Sequence, residues 1–292
     1  MNGVVWLLQH HRELIEAGFA INPDDGGLTT EKGKPSYLGV EATEKLYADF
    51  KLTITNPGGH SSAPRKDNAI DTLAEGLVRI HAYQFKPELN DITRAWFKAA
   101  ARYEPADEAA AMRAFAADPT DKAAIATLTA NPATVGAIGT TCVATMIDGG
   151  HALNALPQRA TANINCRIFP GHKPADIMAE LAQVAAEPDI KFEDVTVGSV
   201  ATDASPLRPD FVAAVQKAVA AAWPDVPVFP SQSAGASDSM WFRYHGVPSY
   251  GAPPLFIKDS EDFSHGLNER TPIASISPGV TYMLTLIPEL TR

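Results

Sequence analysis

The sequence predicts an α/β protein in which an α+β unit is inserted into a discontinuous outer domain. Three observations carry this. DFKLTITN, residues 49–56, alternates strictly, with Phe50, Leu52 and Ile54 on one side and Lys51, Thr53 and Thr55 on the other, the period of a half-exposed strand. It opens a run that reads strand, helix, strand, strand, helix, strand over about 48–198. Strands and helices also alternate on both sides of that run, so residues 1–47 and 199–292 form one domain and residues 48–198 another.

The opening segment spaces Val4, Val5, Leu8 and Ile15 as a helix does and ends at Gly18, before the short apolar run FAIN and the turn NPDDGG. A chain that starts in mid-helix, with its first strand buried, is expected to lack a neighbour on its N-terminal side. After DFKLTITN, the glycines of PGGHSSAP break the alternation, and Ile70, Leu73, Leu77 and Ile80 then line one helical stripe. Residues 88–130 are Ala-rich and punctuated by Pro105 and Pro119, which predicts a helical insertion within the inner unit. Two strands follow between Gly139 and Arg167, joined around DGGHALNALPQ. In the second, Ala160, Ala162, Ile164, Cys166 and Ile168 alternate with Asn163, Asn165 and Arg167, so Arg167 belongs to the polar face. A helix over about 173–187 and a strand over 190–197 close the unit. Pro209 opens a further helix, the strand VPVF and the polar loop SQSAGASDS come next, then the strand VPSYG and a last helix begun by Thr271 and Pro272.

Composition narrows the function. In 292 residues, 45% are hydrophobic, enough for well-packed cores, and 24 Lys plus Arg stand against 34 Asp plus Glu. The net charge of −10 disfavours broad contact with nucleic-acid phosphates. Small molecules or another protein are the expected partners. The N-terminus has neither a basic leader nor a membrane-spanning run, and the compartment stays open between cytoplasm and periplasm. Cys142 and Cys166 fall on strand-like segments and read as two buried free thiols, with no disulfide framework.

Four stretches could carry chemistry. NPDDGG sets Asp24 and Asp25 just after a buried strand, where α/β sheets form their sites, although taken alone it reads first as an Asx turn with two glycines. PGGHSSAP puts His60 on a glycine hinge from which it could donate to a developing oxyanion. Arg167 could grip a carboxylate with both arms of its guanidinium. EDFSHGLNE holds His265 beside Glu261 and Asp262, where an imidazole can face a metal. A serine triad of Ser237, Asp259 or Asp262, and His265 fails, because Ser239 stands where the nucleophile elbow needs glycine.

Taken together and in order, NPDDGG, GGHSSAP, GGHALNALPQRATANINCRIFPG, GASDS and EDFSHGLNE resemble the zinc-dependent aminoacyl hydrolases related to glutamate carboxypeptidase, aminoacylase, carboxypeptidase S and succinyl-diaminopimelate desuccinylase. The resemblance implies the end of a zinc-peptidase-like α/β catalytic domain interrupted by a ferredoxin-like lid that dimerises through edge strands and helices. Asp24, with Asp25 as the weaker alternative, would bind one zinc and His265 the other. His60 would reach into a partner subunit's site, Asn154 and Arg167 would hold the substrate's carboxylate, and Gly235, Ser237 and Asp238 would line the pocket. The implied reaction cleaves the amide of an N-acyl amino acid or short peptide with a free C-terminus, by a homodimer. The family's His-x-Asp motif and adjacent Glu pair are not found in these residues. The expectation is therefore an N-terminally truncated chain with weak zinc binding and little hydrolysis, the competing class being a non-catalytic dimerisation or ligand-binding module.

Overall fold

The computed structural model describes every residue except Met1, Asp25, Gly26, residues 30–33, Asp262 and His265. The chain divides into two compact units. One comprises residues 1–44, 89–138 and 202–292, and the other residues 45–88 and 139–201.

The first unit begins with α1 (Gly3–His10), capped by the Asn2 side chain, which accepts the N–H groups of Val4 and Val5. Beyond His11, which leaves helical geometry, comes a short 3-10 turn. The predicted helix thus stops before Ile15. Its sheet contains β1 (Ala20–Asn22), β2 (Gly27–Thr29), β3 (Pro35–Glu44), β10 (Val228–Ser233), β11 (Ser249–Gly251) and β12 (Phe256–Lys258). Strands β1 and β11 are parallel, as are β2 and β12, and β3 with β10; β3 runs antiparallel to β11 and β2. The carboxyl ends of β1 and β12 consequently face one edge of the sheet and those of β3 and β10 the other. Helices α8 (Pro209–Ala222), α9 (Ser239–Tyr244) and α10 (Ile273–Leu290) complete this part, and Phe211, Val215, Val219, Tyr250, Tyr282 and Leu286 fill its core. On its other side α10 leaves Ile273, Ile276, Val280, Leu284 and Ile287 exposed.

Helices α3 (Asp91–Ala100), α4 (Ala106–Ala117), α5 (Lys122–Ala130) and α6 (Pro132–Val135) make up the Ala-rich segment. Sequence placed it inside the inserted unit; its contacts place it with the first. The reason is apolar packing: Phe97, Met112, Phe115 and Leu128 bury themselves against Tyr37 of β3, with Phe229 of β10 alongside.

The second unit is built from β4 (Leu46–Thr55), the short β5 (Gly59–His60), α2 (Ala69–Ala82), β6 (Thr141–Gly149), the short β7 (Ala155–Leu156), β8 (Arg159–Ile168), α7 (Pro174–Ala185) and β9 (Lys191–Asp194). The four longer strands form an antiparallel sheet ordered β6-β8-β4-β9, and β5 pairs with β7 in a separate ribbon. Phe50, Leu52, Ile164 and Ile168 are fully buried under α2 and α7 through Leu73, Ile80, Ile177 and Leu181. Asn163, Asn165 and Arg167 take the other face. Within α2, Ile70 departs from the predicted stripe and is 42% exposed.

The two cysteines are not free. Cys142 of β6 stands directly opposite Cys166 of β8, and the pair is disulfide-bonded. Neither cysteine's spacing could reveal this, since only the strand register brings them face to face.

Candidate functional site

Each unit carries part of the predicted chemistry. In the second, the chain leaves β4 through Asn56, whose N–H bonds the Gln158 carbonyl at 2.9 Å. Gly58 then turns with φ +79°, where an added Cβ would sit 2.8 Å from the Gln158 side chain, a conformation and space that suit glycine. This delivers His60 opposite Ala155 in the ribbon, and the Ser61 N–H donates to the Asn154 carbonyl at 3.0 Å. His60 and Asn154 are therefore neighbours, both exposed. The His60 ring accepts the Ser62 N–H at Nδ1 (3.2 Å), and the Ser62 Oγ lies 2.8 Å from the same nitrogen. A neutral imidazole that accepts at Nδ1 carries its proton on Nε2. Nε2–H is thus the hydrogen-bond donor that His60 offers outward.

Arg167 lies elsewhere. The ribbon adjoins the Arg159 end of β8, and Arg167 is eight residues along the strand, roughly 26 Å away at about 3.3 Å per residue. Sequence grouped Asn154 with Arg167 as one carboxylate grip; one copy of this unit holds them at opposite ends of a strand. At its own end, Arg167 pairs with Tyr47 on β4 and Thr141 on β6, its guanidinium carbon 4.8 Å from the Tyr47 ring centre, within cation–π range. Lys45, fully buried, donates from Nζ to the Thr141 Oγ1 at 3.0 Å. Burial, and then the Arg167 charge, lower its pKa to about 7. Alongside, Asp49 accepts from Asn163 (2.8 Å), Asn165 (3.0 Å) and the Tyr47 hydroxyl. Desolvation of Asp49 works against these hydrogen bonds, and the bonds win, holding its carboxyl below the ordinary range. Neither Lys45 nor Tyr47 was singled out from sequence, though extending the β4 alternation backward puts Tyr47 on the face of Asp49.

In the first unit, Asp24 follows β1 and is exposed. Its N–H donates to the Asn22 Oδ1 at 3.0 Å, an Asx-type turn. Asp25 and His265 lie outside the described residues; β12 ends at the same sheet edge as β1. The loop from Gly235 to Asp238 stands at the opposite edge. There the Ser237 N–H donates to the Glu44 Oε2 at 2.7 Å, the Gly235 N–H to the Ser233 Oγ at 3.1 Å, and the Asn2 Nδ2 to the Asp238 Oδ1 at 2.7 Å. Glu44 also pairs with the Arg243 guanidinium, both side chains being buried. Burial raises the Glu44 carboxyl above its ordinary range, against the pull of Arg243. The structure therefore does not bring this loop together with Asp24.

Among the described residues no group of three or more His, Cys, Asp or Glu converges, whereas a tight zinc site takes three or four protein ligands. By themselves they do not fit a two-metal centre. No described helix is long and apolar enough to cross a membrane.

The chain thus combines a mixed-sheet α/β unit with a βαββαβ unit that carries an exposed ribbon histidine. The chain belongs to the M20 peptidase family: the family's peptidase dimerisation domain matches residues 43–193, just over half of the chain. Its curated relatives include probable carboxypeptidase S-like 2 of Dictyostelium discoideum, 25% identical over 85% of this chain and 47% of the relative. Human N-fatty-acyl-amino acid synthase/hydrolase PM20D1 is 24% identical over 90% of this chain and 54% of the relative. The chain thus spans about half the length of these relatives. Among solved structures, the M20 family metallo-carboxypeptidase Sso-CP2 from Sulfolobus solfataricus shares the fold with a TM-score of 0.66 at 18% identity, over 98% of this chain and 66% of that one. The di-peptidase Dug1p from Saccharomyces cerevisiae follows at 0.62 and 13%, over 92% and 58%. M20 enzymes are metallopeptidases and amidohydrolases, so a divalent metal, typically zinc, goes with the family.

Proposed function

We propose that this chain supplies the substrate grip and part of the catalytic domain of a zinc-dependent hydrolase. The substrate is an N-acyl amino acid or short peptide with a free carboxylate, cleaved at an amide bond. One observation carries the reading: His60 and Asn154 sit together at one end of β8 and Arg167 at the other. A substrate that meets all three needs two copies of the lid, Arg167 from one and His60 with Asn154 from its partner. Arg167 and Asn154 would clamp the carboxylate, and the His60 Nε2–H would donate to the carbonyl oxygen as it gains charge. The homodimer this requires has a surface to form on. β6 is one of the sheet's two edge strands, and its Val143, Met146 and Ile147 are 58%, 72% and 67% exposed, an open edge of the kind that pairs with a second sheet. Asp24 and His265 are the proposed metal ligands; Gly235, Ser237 and Asp238, at the other edge of the sheet, are left out of the pocket.

A second reading, a dimerisation or ligand-binding module without chemistry, is favoured by the described residues, among which no group of three or more His, Cys, Asp or Glu converges. Zinc analysis after dialysis, combined with hydrolysis assays on N-acetyl amino acids, separates the two. With only Asp24 and His265 assigned, these 292 residues should hold zinc weakly and cleave no amide. Two tightly held zinc ions per chain and chelator-sensitive hydrolysis would overturn the inactivity and exclude the module.

A further inference from the structure

Helix α10 closes the core of the first unit with one face, through the buried Gly279, Tyr282 and Leu286. Another face carries Ile273, Ile276, Val280, Leu284 and Ile287, which are 48% to 85% exposed. At 3.6 residues per turn these five fall within a stripe about 80° wide. A solvated helix face ordinarily carries charges, yet α10 has no Asp, Glu, Lys or Arg before Glu289. The hydroxyls nearby are already spent on the helix itself. The Thr281 Oγ1 donates to the Ser277 carbonyl at 3.2 Å and the Thr285 Oγ1 to the Thr281 carbonyl at 2.8 Å, so covering them strands no donor. Five aliphatic side chains open to this degree present on the order of 500 Å² of apolar surface, as much as the largest patch of an ordinary monomer.

The spacing of the stripe is symmetric about Val280. Ile276 and Leu284 stand four residues to either side of it, Ile273 and Ile287 seven. Such a face is complementary to its own copy turned end for end: Val280 meets Val280, Ile276 meets Leu284, and Ile273 meets Ile287. Antiparallel helices also set opposite macrodipole ends together, and an uncharged stripe adds no local repulsion between copies that each carry −10. Two such faces bury about 1,000 Å² between them, the size at which specific interfaces begin.

We propose that the α10 stripe is a homotypic interface, on which a second copy of this chain docks its own α10 antiparallel about a two-fold axis at Val280. The contact lies on the first unit and does not depend on pairing through β6. A chain that makes both contacts assembles beyond a dimer, as a closed tetramer or an open series according to how the two axes meet.

Oxidative cross-linking of the full chain reads the register, because both native cysteines are tied up in the Cys142–Cys166 bond and an added cysteine is the one free thiol. Val280→Cys should give a disulfide-linked pair. Ile287→Cys alone should give none, since two copies of residue 287 then lie about 21 Å apart along the helix axes, beyond disulfide reach. Ile273→Cys mixed with Ile287→Cys should link again. Sedimentation at micromolar concentration reads the interface itself: Val280→Asp, a change on an exposed position, sets two carboxylates face to face and should lower the mass by about half. Mixing it with Val280→Lys should restore the mass. Equal linking by Val280→Cys and Ile287→Cys overturns the two-fold register. A mass that Val280→Asp leaves unchanged overturns the interface, whether the stripe then stands bare or carries a different polypeptide.

Discussion

At the scale of single residues, the second unit holds two cations close together and keeps only one of them available. Arg167 is partly exposed over Tyr47, whereas Lys45 is fully buried. A lysine whose folded pKa of about 7 lies below its ordinary 10.5 binds fewer protons folded than unfolded. Stability should therefore rise with pH between those two values, the destabilisation being fully present below about pH 7. Guanidinium unfolding at pH 6.5 and pH 9 should show a gain on the order of 2 kcal/mol, and Lys45→Met should flatten it. An unchanged pH response in Lys45→Met would place the titration elsewhere. His60 shows what sequence can and cannot tell at this scale. Its place on a glycine hinge was legible in PGGHSSAP, but its tautomer depends on Ser62, a local fold that no motif states.

At the scale of elements, β6 is held chiefly by its ladder to β8, with α2 packed against it as well. Seven of its nine residues are exposed, and a register shift interrupts the ladder between Ala144 and Met146. The Cys142–Cys166 bond fastens it at the end where Arg167 sits. Closing a loop over 24 residues of sequence restricts the unfolded chain, so reducing the bond should cost this unit about 2–4 kcal/mol. Denaturation with and without a phosphine reductant, beside the Cys142→Ala, Cys166→Ala double variant, measures it. Coincident curves would show that the ladder alone suffices. Alternation made β4 and β8 readable, because each buries one face and wets the other. β3 escaped notice for the opposite reason: Tyr37, Leu38, Val40, Ala42 and Thr43 are buried on both its faces, which erases the period. The Ala-rich helices were readable as helices, but composition says nothing of which body they cover; Phe97, Met112 and Phe115 decide that by packing under Tyr37.

At the scale of the whole molecule, the sequence motifs identify the family and the structure sets where their residues lie. Asn154 joins His60, Arg167 stands apart, and the loop at Gly235 to Asp238 is anchored by the Glu44–Arg243 pair at the sheet edge away from Asp24. None of this could be read from order along the chain, since strand direction and register set it. The central claim is that one substrate carboxylate is gripped by residues of two copies. Mixing two inactive grips tests it most directly. Asn154→Ala and Arg167→Gln proteins should each lose N-acetyl-L-tyrosine binding by about tenfold or more. Equal mixing and exchange of subunits should restore a fraction of tight sites by calorimetry, because each mixed dimer regains one site with both residues intact. A mixture no better than its two components would contradict the shared grip.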